Sequence, residues 1–204
     1  MSFLSDPGEI EKKSFEIILG LLAGKGLAGP EKDVVMRVVH ATADPDFADV
    51  MVFSDGAVAS GIDALRRGCT IITDVKMLAS GISGGGRGSV VCRISDPEII
   101  KEAKEKGCTR AAAAMRSAAS EGLMSGAIVA VGNAPTALYE AIRLVREDNI
   151  RPALIVGVPV GFVGAAESKE ALLGLTEVPY ITNRGRKGGS PVAAAIINAL
   201  KKLS

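Results

Sequence analysis

AIVAVGNAPTALYEAIRLVRE (residues 127–147), followed by ALIVGV (153–158), is the stretch on which the fold turns. Two short apolar runs without polar alternation suit strands covered on both faces, and the amphipathic segment between them suits a crossover helix. Strand, helix and strand in that order describe a parallel pair.

The same alternation extends outward. VMVF (50–53) precedes AVASGIDALRR (57–67), TIITDV (70–75) stands alone, and SVVCRI (89–94) precedes PEIIKEAKEK (97–106). Further on, AAESKEALLGL (165–175) follows the 153–158 run, and PYIT (179–182) leads into SPVAAAIINALKKL (190–203). TRAAAAMRSAASEG (109–122) reads as an extra helix. Together these predict one α/β domain over residues 1–204, a mostly parallel, doubly wound sheet flanked by helices. Ahead of it, Asp6-Pro7-Gly8-Glu9 is a helix start, with a cap, a proline at the first helical position and an acid in the first turn. That helix runs to about Leu22 with an apolar stripe of Ile10, Ile17, Ile18 and Leu21, and Ser14 points the same way as the stripe. Pro30 opens a second helix that reaches His40.

Composition narrows the function. Lys+Arg 24 against Asp+Glu 23 leaves a net charge of +1, and aromatic content is 3% with no Trp, so neither a bulk basic field nor stacking platforms for nucleic acid are present. The N-terminal residues lack a signal-peptide pattern, and no apolar run reaches the roughly 20 residues of a membrane helix, so a cytoplasmic protein without membrane contact is expected. One His and no C-x-x-C give no raw material for a zinc site, so no metal is expected, and Cys69, Cys92 and Cys108 read as buried small hydrophobes.

In doubly wound sheets ligands bind at the carboxyl ends of strands. The turns expected there are GISGGGRGS (81–89), VGNAP (131–135), GVPVGFVGAAES (157–168) and NRGRKGGSP (183–191), rich in glycine and carrying Arg87, Arg184, Arg186 and Lys187. Glycine lets backbone amides approach a ligand, and a following helix N-terminus favours anions, although the same glycines also serve tight turns. Gly157, Gly161 and Gly164 have the spacing G-x-x-x-G-x-x-G rather than G-x-G-x-x-G; they carry the alternative of a nucleotide-binding protein without catalysis. His40 is the side chain suited to proton transfer near neutrality, with a structural or solvated histidine as the plainer reading. Asp44 could orient its ring if the helix continued, against which Asp44-Pro45 argues. Ser14 also fits a small residue that permits close helix packing.

RVVHATADPDF (37–47), FSDGAV (53–58), ITDVKMLASGI (72–82), VGNAPTAL (131–138), GVPVGFVGAAESKEAL (157–172) and ITNRGRKGGSPVAAAI (181–196) together resemble the precorrin-8X methylmutase family over essentially the whole chain. The resemblance implies an α/β homodimer that moves a methyl group of a tetrapyrrole onto ring C without a cofactor. It implies His40 as general acid–base and Ser14 as a substrate-binding residue. The substrate's acidic arms then need partners, and Ser83, Arg110, Asn183 and Arg186 are expected, with Arg116 an alternative to Arg110. Where the family reads Thr-Arg-Ser, residues 109–111 read Thr-Arg-Ala, which removes one hydroxyl. A tetrapyrrole carrier without turnover is the other reading of the same resemblance.

Overall fold

A computed structural model describes residues 5–84 and 88–204; Arg87 lies outside the described residues. The chain begins with α1 (Pro7–Leu21), α2 (Gly29–Thr42), a short α3 (Phe47–Val50), β1 (Met51–Phe53), α4 (Ala57–Arg66), β2 (Ile71–Thr73), α5 (Lys76–Gly81) and β3 (Val90–Val91). It continues through α6 (Pro97–Glu105), α7 (Arg110–Ser120), β4 (Ile128–Val131), α8 (Pro135–Arg146), β5 (Leu154–Gly157), α9 (Ala165–Leu173), β6 (Tyr180–Asn183) and α10 (Ser190–Leu203). Among the described residues, six strands form one sheet in the order β1-β6-β5-β4-β2-β3. Every pairing is parallel except β1 with β6. The mostly parallel, helix-flanked sheet expected from the apolar runs is therefore the fold. No helix among the described residues is long and apolar enough to cross a membrane.

Strand residues divide cleanly between the two faces. Ile128, Ala130, Leu154 and Val156 pack with α1, α2, α4, α5 and α10, while Val129, Val131 and Ile155 pack with α7 and α8. The period of two along a pleated strand, with both faces covered, is the reason each run is apolar throughout. From β2 the chain moves outward to β3, returns past β2 to β4, then continues through β5 to β6. Direction reverses between β2 and β4, and the crevice at their carboxyl ends is the topological switch point.

At α1 the Asp6 carboxylate accepts the Glu9 backbone N–H at 2.8 Å, as its cap sequence predicts. The stripe is a correction. Ile18 alone of its four residues is buried; Ile10, Ile17 and Leu21 are exposed, together with Leu19. Helix α1 packs chiefly on α2, along the narrow line of Phe15, Ile18 and Leu22, so among the described residues much of its apolar surface is left exposed. Helix α5 is too short to have shown a period in the sequence.

Candidate active site

Helices α2 and α10 pack against each other, and the C-terminal turn of α2 brings His40 beside Ser190 and Pro191, the first residues of α10. The half-buried imidazole stacks on Phe15 from α1, with centroids 5.0 Å apart and planes inclined by 11°. Ser14 is the neighbour of Phe15, and its Oγ lies 2.8 Å from His40 Nδ1. Its inward direction is thus explained by α2, not by a buried stripe. Asp44 does not orient the ring. Helix α2 stops at Thr42, Ala43 turns left-handed with φ 54°, and Asp44 instead accepts from Lys187 Nζ at 2.7 Å. That contact holds its carboxyl below the usual carboxylate range.

His40 opens onto a groove of about 430 Å³ between α2, α5 and α10, floored by Ala194 and Ala195 and walled by Met77, Pro191 and Arg37. Arg37 and Asn198 also line a second cavity of about 520 Å³ that holds Ser83, Lys201 and Lys202. Each volume lies in the range of small-molecule sites. From Ser190 to Lys201 the helix rises about 16 Å, which is the length of the surface joining the two. Arg37 donates to Glu11 at 2.8 Å and lies 4.9 Å from the Phe15 centroid, so the stack that holds His40 also holds this guanidinium.

The expected site residues separate. Ser14 and His40 come together, and Ser83 stands at the far cavity, where its N–H and Oγ both donate to Asn198 Oδ1 at 2.8 Å. Arg110 and the alternative Arg116 belong to α7 on the other sheet face, and neither lines the His40 groove. Arg116 is engaged by Glu140 and by the half-buried Cys108 Sγ at 2.9 Å. Arg186 is exposed, its guanidinium 6.0 Å from the centre of the Phe162 ring. Asn183, expected at the substrate, lies at the end of β6. It is fully buried, and its amide donates to the carbonyls of Arg184 and Lys187, so it shapes the loop instead. The cysteines are free and half-buried rather than fully enclosed.

Two residues that the sequence reading passed over control the glycine-rich turns. The buried Asp74, just beyond β2, accepts the backbone N–H groups of Gly132, Asn133 and Ala134 at 3.2, 2.8 and 2.7 Å. Burial pushes its carboxyl above the usual range against the pull of those amides. Three amides of the VGNAP turn, expected to take a ligand anion, are instead taken by this internal carboxylate. Lys169 of α9 is 1% exposed and donates to the Lys187 carbonyl at 2.6 Å. Burial alone pushes its ammonium down to about 8. Gly157 of the alternative nucleotide turn is a packing position, because a Cβ there would sit 2.6 Å from Leu172 Cδ2 and 2.8 Å from Leu138 Cδ1.

A sequence model of the precorrin-8X methylmutase family matches residues 9–203. The cobalt-precorrin-8 methylmutase of Leptospira interrogans is 46% identical over 204 residues, which cover 96% of this chain and 93% of that protein. The protein of the same name from Methanocaldococcus jannaschii is 51% identical over 170 residues, covering 83% and 78%. Among solved structures, precorrin-8X methylmutase from Thermus thermophilus superposes with a TM-score of 0.89 at 40% identity, over 96% of this chain and 95% of that one. With a family match across nearly its whole length and a groove built around its one histidine, the chain belongs to the precorrin-8X methylmutase family.

Proposed function

We propose that this enzyme is an isomerase of cobalamin biosynthesis that moves a methyl group onto ring C of precorrin-8X or its cobalt complex, with His40 as general acid–base. The observation that carries the role of His40 is its contact with Ser14, made by an imidazole that also lines the groove. With Nδ1 occupied by Ser14, Nε2 is the nitrogen left for substrate. As general acid the ring starts as the imidazolium; Nδ1–H donates to Ser14 Oγ while Nε2 gives up a proton and takes it back, so the ring alternates between cation and neutral form.

Protonation by Nε2 makes the conjugated macrocycle electron-poor. The methyl group migrates with its bonding pair from the carbon beside ring C to ring C, and Nε2 recovers the proton. The groove's cations, Arg37, Lys201 and Lys202, with Ser83, suit acidic arms. Arg186 serves an arm that extends past the start of α10. Within one chain Arg110 is not brought to the groove, so its proposed contact requires a substrate held across two chains. A cytoplasmic homodimer is part of this proposal, supported by the uncovered Ile10, Ile17, Leu19 and Leu21 of α1. Light scattering on the purified protein tests it, and a monomer at micromolar concentration would rule it out.

Conversion of precorrin-8X to hydrogenobyrinic acid, followed by its spectral change, separates an enzyme from a carrier. His40→Ala is expected to bind the coloured substrate and to turn over about 10²- to 10⁴-fold more slowly. Unchanged turnover in that variant would remove His40 from the mechanism. Ser14→Ala, losing one neutral hydrogen bond, is expected to slow turnover by about 2- to 10-fold with binding retained.

A further inference from the structure

We infer that Lys169 is a positioning residue of the active site, a buried cation that ties together the two walls between which His40 works. Through the methylmutase reading above, this inference concerns turnover; its structural part stands independently.

The geometry centres on Lys187. Its backbone carbonyl accepts from Lys169 Nζ at 2.6 Å and from Asn183 Nδ2 at 2.8 Å. Its own ammonium, on the outer side, donates to Asp44 at 2.7 Å and Asp46 at 2.9 Å. Asp44 lies four residues beyond His40, in the turn that ends α2. In the other direction the chain passes through Gly188 and Gly189 into Ser190 and Pro191, which form the wall of the groove facing His40. The glycines leave no slack: Gly189 N–H donates to the Val158 carbonyl at 2.8 Å, and a Cβ on Gly188 would lie 2.3 Å from that oxygen. One residue therefore meets both the His40 side and the α10 side, and a buried ammonium holds it in place.

Among the described residues Lys169 has no carboxylate partner: its other contact is Asn183 Oδ1 at 3.5 Å, and burial lowers its titration. An uncompensated buried ammonium weakens a fold, and an apolar side chain of similar volume would pack there at no loss or with a gain. A residue kept only for stability would not have this character. Its use is to hold the loop.

Lys169→Met separates the two roles. If Lys169 positions the site, the variant melts at or above the wild-type temperature. Amide exchange over residues 184–189 speeds at least tenfold, and kcat falls at least tenfold while KM changes by less than threefold. A melting temperature lowered together with the rate would make Lys169 a stability residue and overturn the inference, as would unchanged kcat or unchanged exchange. Should Lys169→Met not fold, Lys187→Met decides, because it severs the exposed arm to Asp44 and Asp46. A kcat within twofold of wild type in that variant would overturn the inference. If the wild-type protein itself fails to convert precorrin-8X, the methylmutase reading is what has failed, and the exchange and melting comparisons still decide whether Lys169 anchors the loop.

Discussion

The turn at 131–135 and the loop at 183–189 look alike in sequence and are held by opposite charges. Both leave the carboxyl end of a parallel strand, contain glycine, and enter a helix with proline in its first positions. At the first, an internal carboxylate accepts three backbone N–H groups. At the second, an internal ammonium donates to a backbone carbonyl. Asp74 satisfies donors that would otherwise be orphaned at the start of α8, so the three amides of that turn are bonded within the fold. Lys169 satisfies one carbonyl that Asn183 also reaches, and its charge goes unbalanced. The first anchor stabilises the molecule; the second shapes it at some expense of stability. The chemistry proposed above is accordingly set on the α2–α10 face, away from the crevice where a doubly wound sheet usually holds its ligand.

The largest expected effect is at the lysine-held loop. Gly188→Ala places a Cβ against the Val158 carbonyl at a φ of +151°, both conditions that an alanine resists. Clash and backbone strain together should cost about 4 kcal/mol, read as a melting temperature lower by roughly 8–16 °C. A loss below about 1 kcal/mol would mean that the loop is free to move, and the contrast between the two regions would collapse. Asp74→Ala comes next. It leaves three backbone donors without their acceptor, and about 3 kcal/mol is expected by urea denaturation. Asp74→Asn, which keeps one acceptor oxygen, should recover part of that. If Asp74→Ala instead melted like wild type, the carboxylate would not be the anchor of its turn.

The residues that were legible in the sequence are those whose role is local. Apolar runs with both faces covered announced the sheet, the Asp6-Pro7 cap announced α1, and the family wording around residue 40 pointed to the histidine. What escaped depends on partners far along the chain. Asp74 and the amides it caps are separated by 58 to 60 residues, and Lys169 and the Lys187 carbonyl by 18. Nothing in ITDVKM or AAESKEAL marks either charge as buried. Lys201 and Lys202 stand in the last turn of α10, where basic residues ordinarily complement the helix dipole, and Arg37 resembles any solvated helix residue until Phe15 and Glu11 are placed beside it. Asn183, expected at the ligand, is buried and bonded to its own loop. A polar residue at the end of a strand can face a ligand or the underside of its own loop, and strand period does not distinguish the two.

The smallest effect is the one that most directly compares the anchors, because it depends on pH alone. Lys169 carries a folded-state value of about 8 against an ordinary 10.5. Below pH 8 both folded and unfolded chains hold the proton, and the fold bears the full penalty of the buried charge. Between pH 8 and 10.5 the unfolded chain keeps a proton that the folded chain has released, so stability attributable to this group rises with pH. Lys169→Met lacks that response. The melting advantage expected of the variant should therefore be greatest near neutrality and shrink across this window, by no more than roughly 3–5 °C per pH unit. Taking the difference between the two proteins cancels the other groups that titrate at high pH. Above pH 8 the wild-type amine is a weaker donor to the Lys187 carbonyl, so exchange of the loop amides should quicken, relative to Lys169→Met, while the wild-type fold gains stability. Loop order and global stability moving in opposite directions over the same window is a result that only an anchor opposed to stability can give, and parallel movement would put Lys169 in the same class as Asp74.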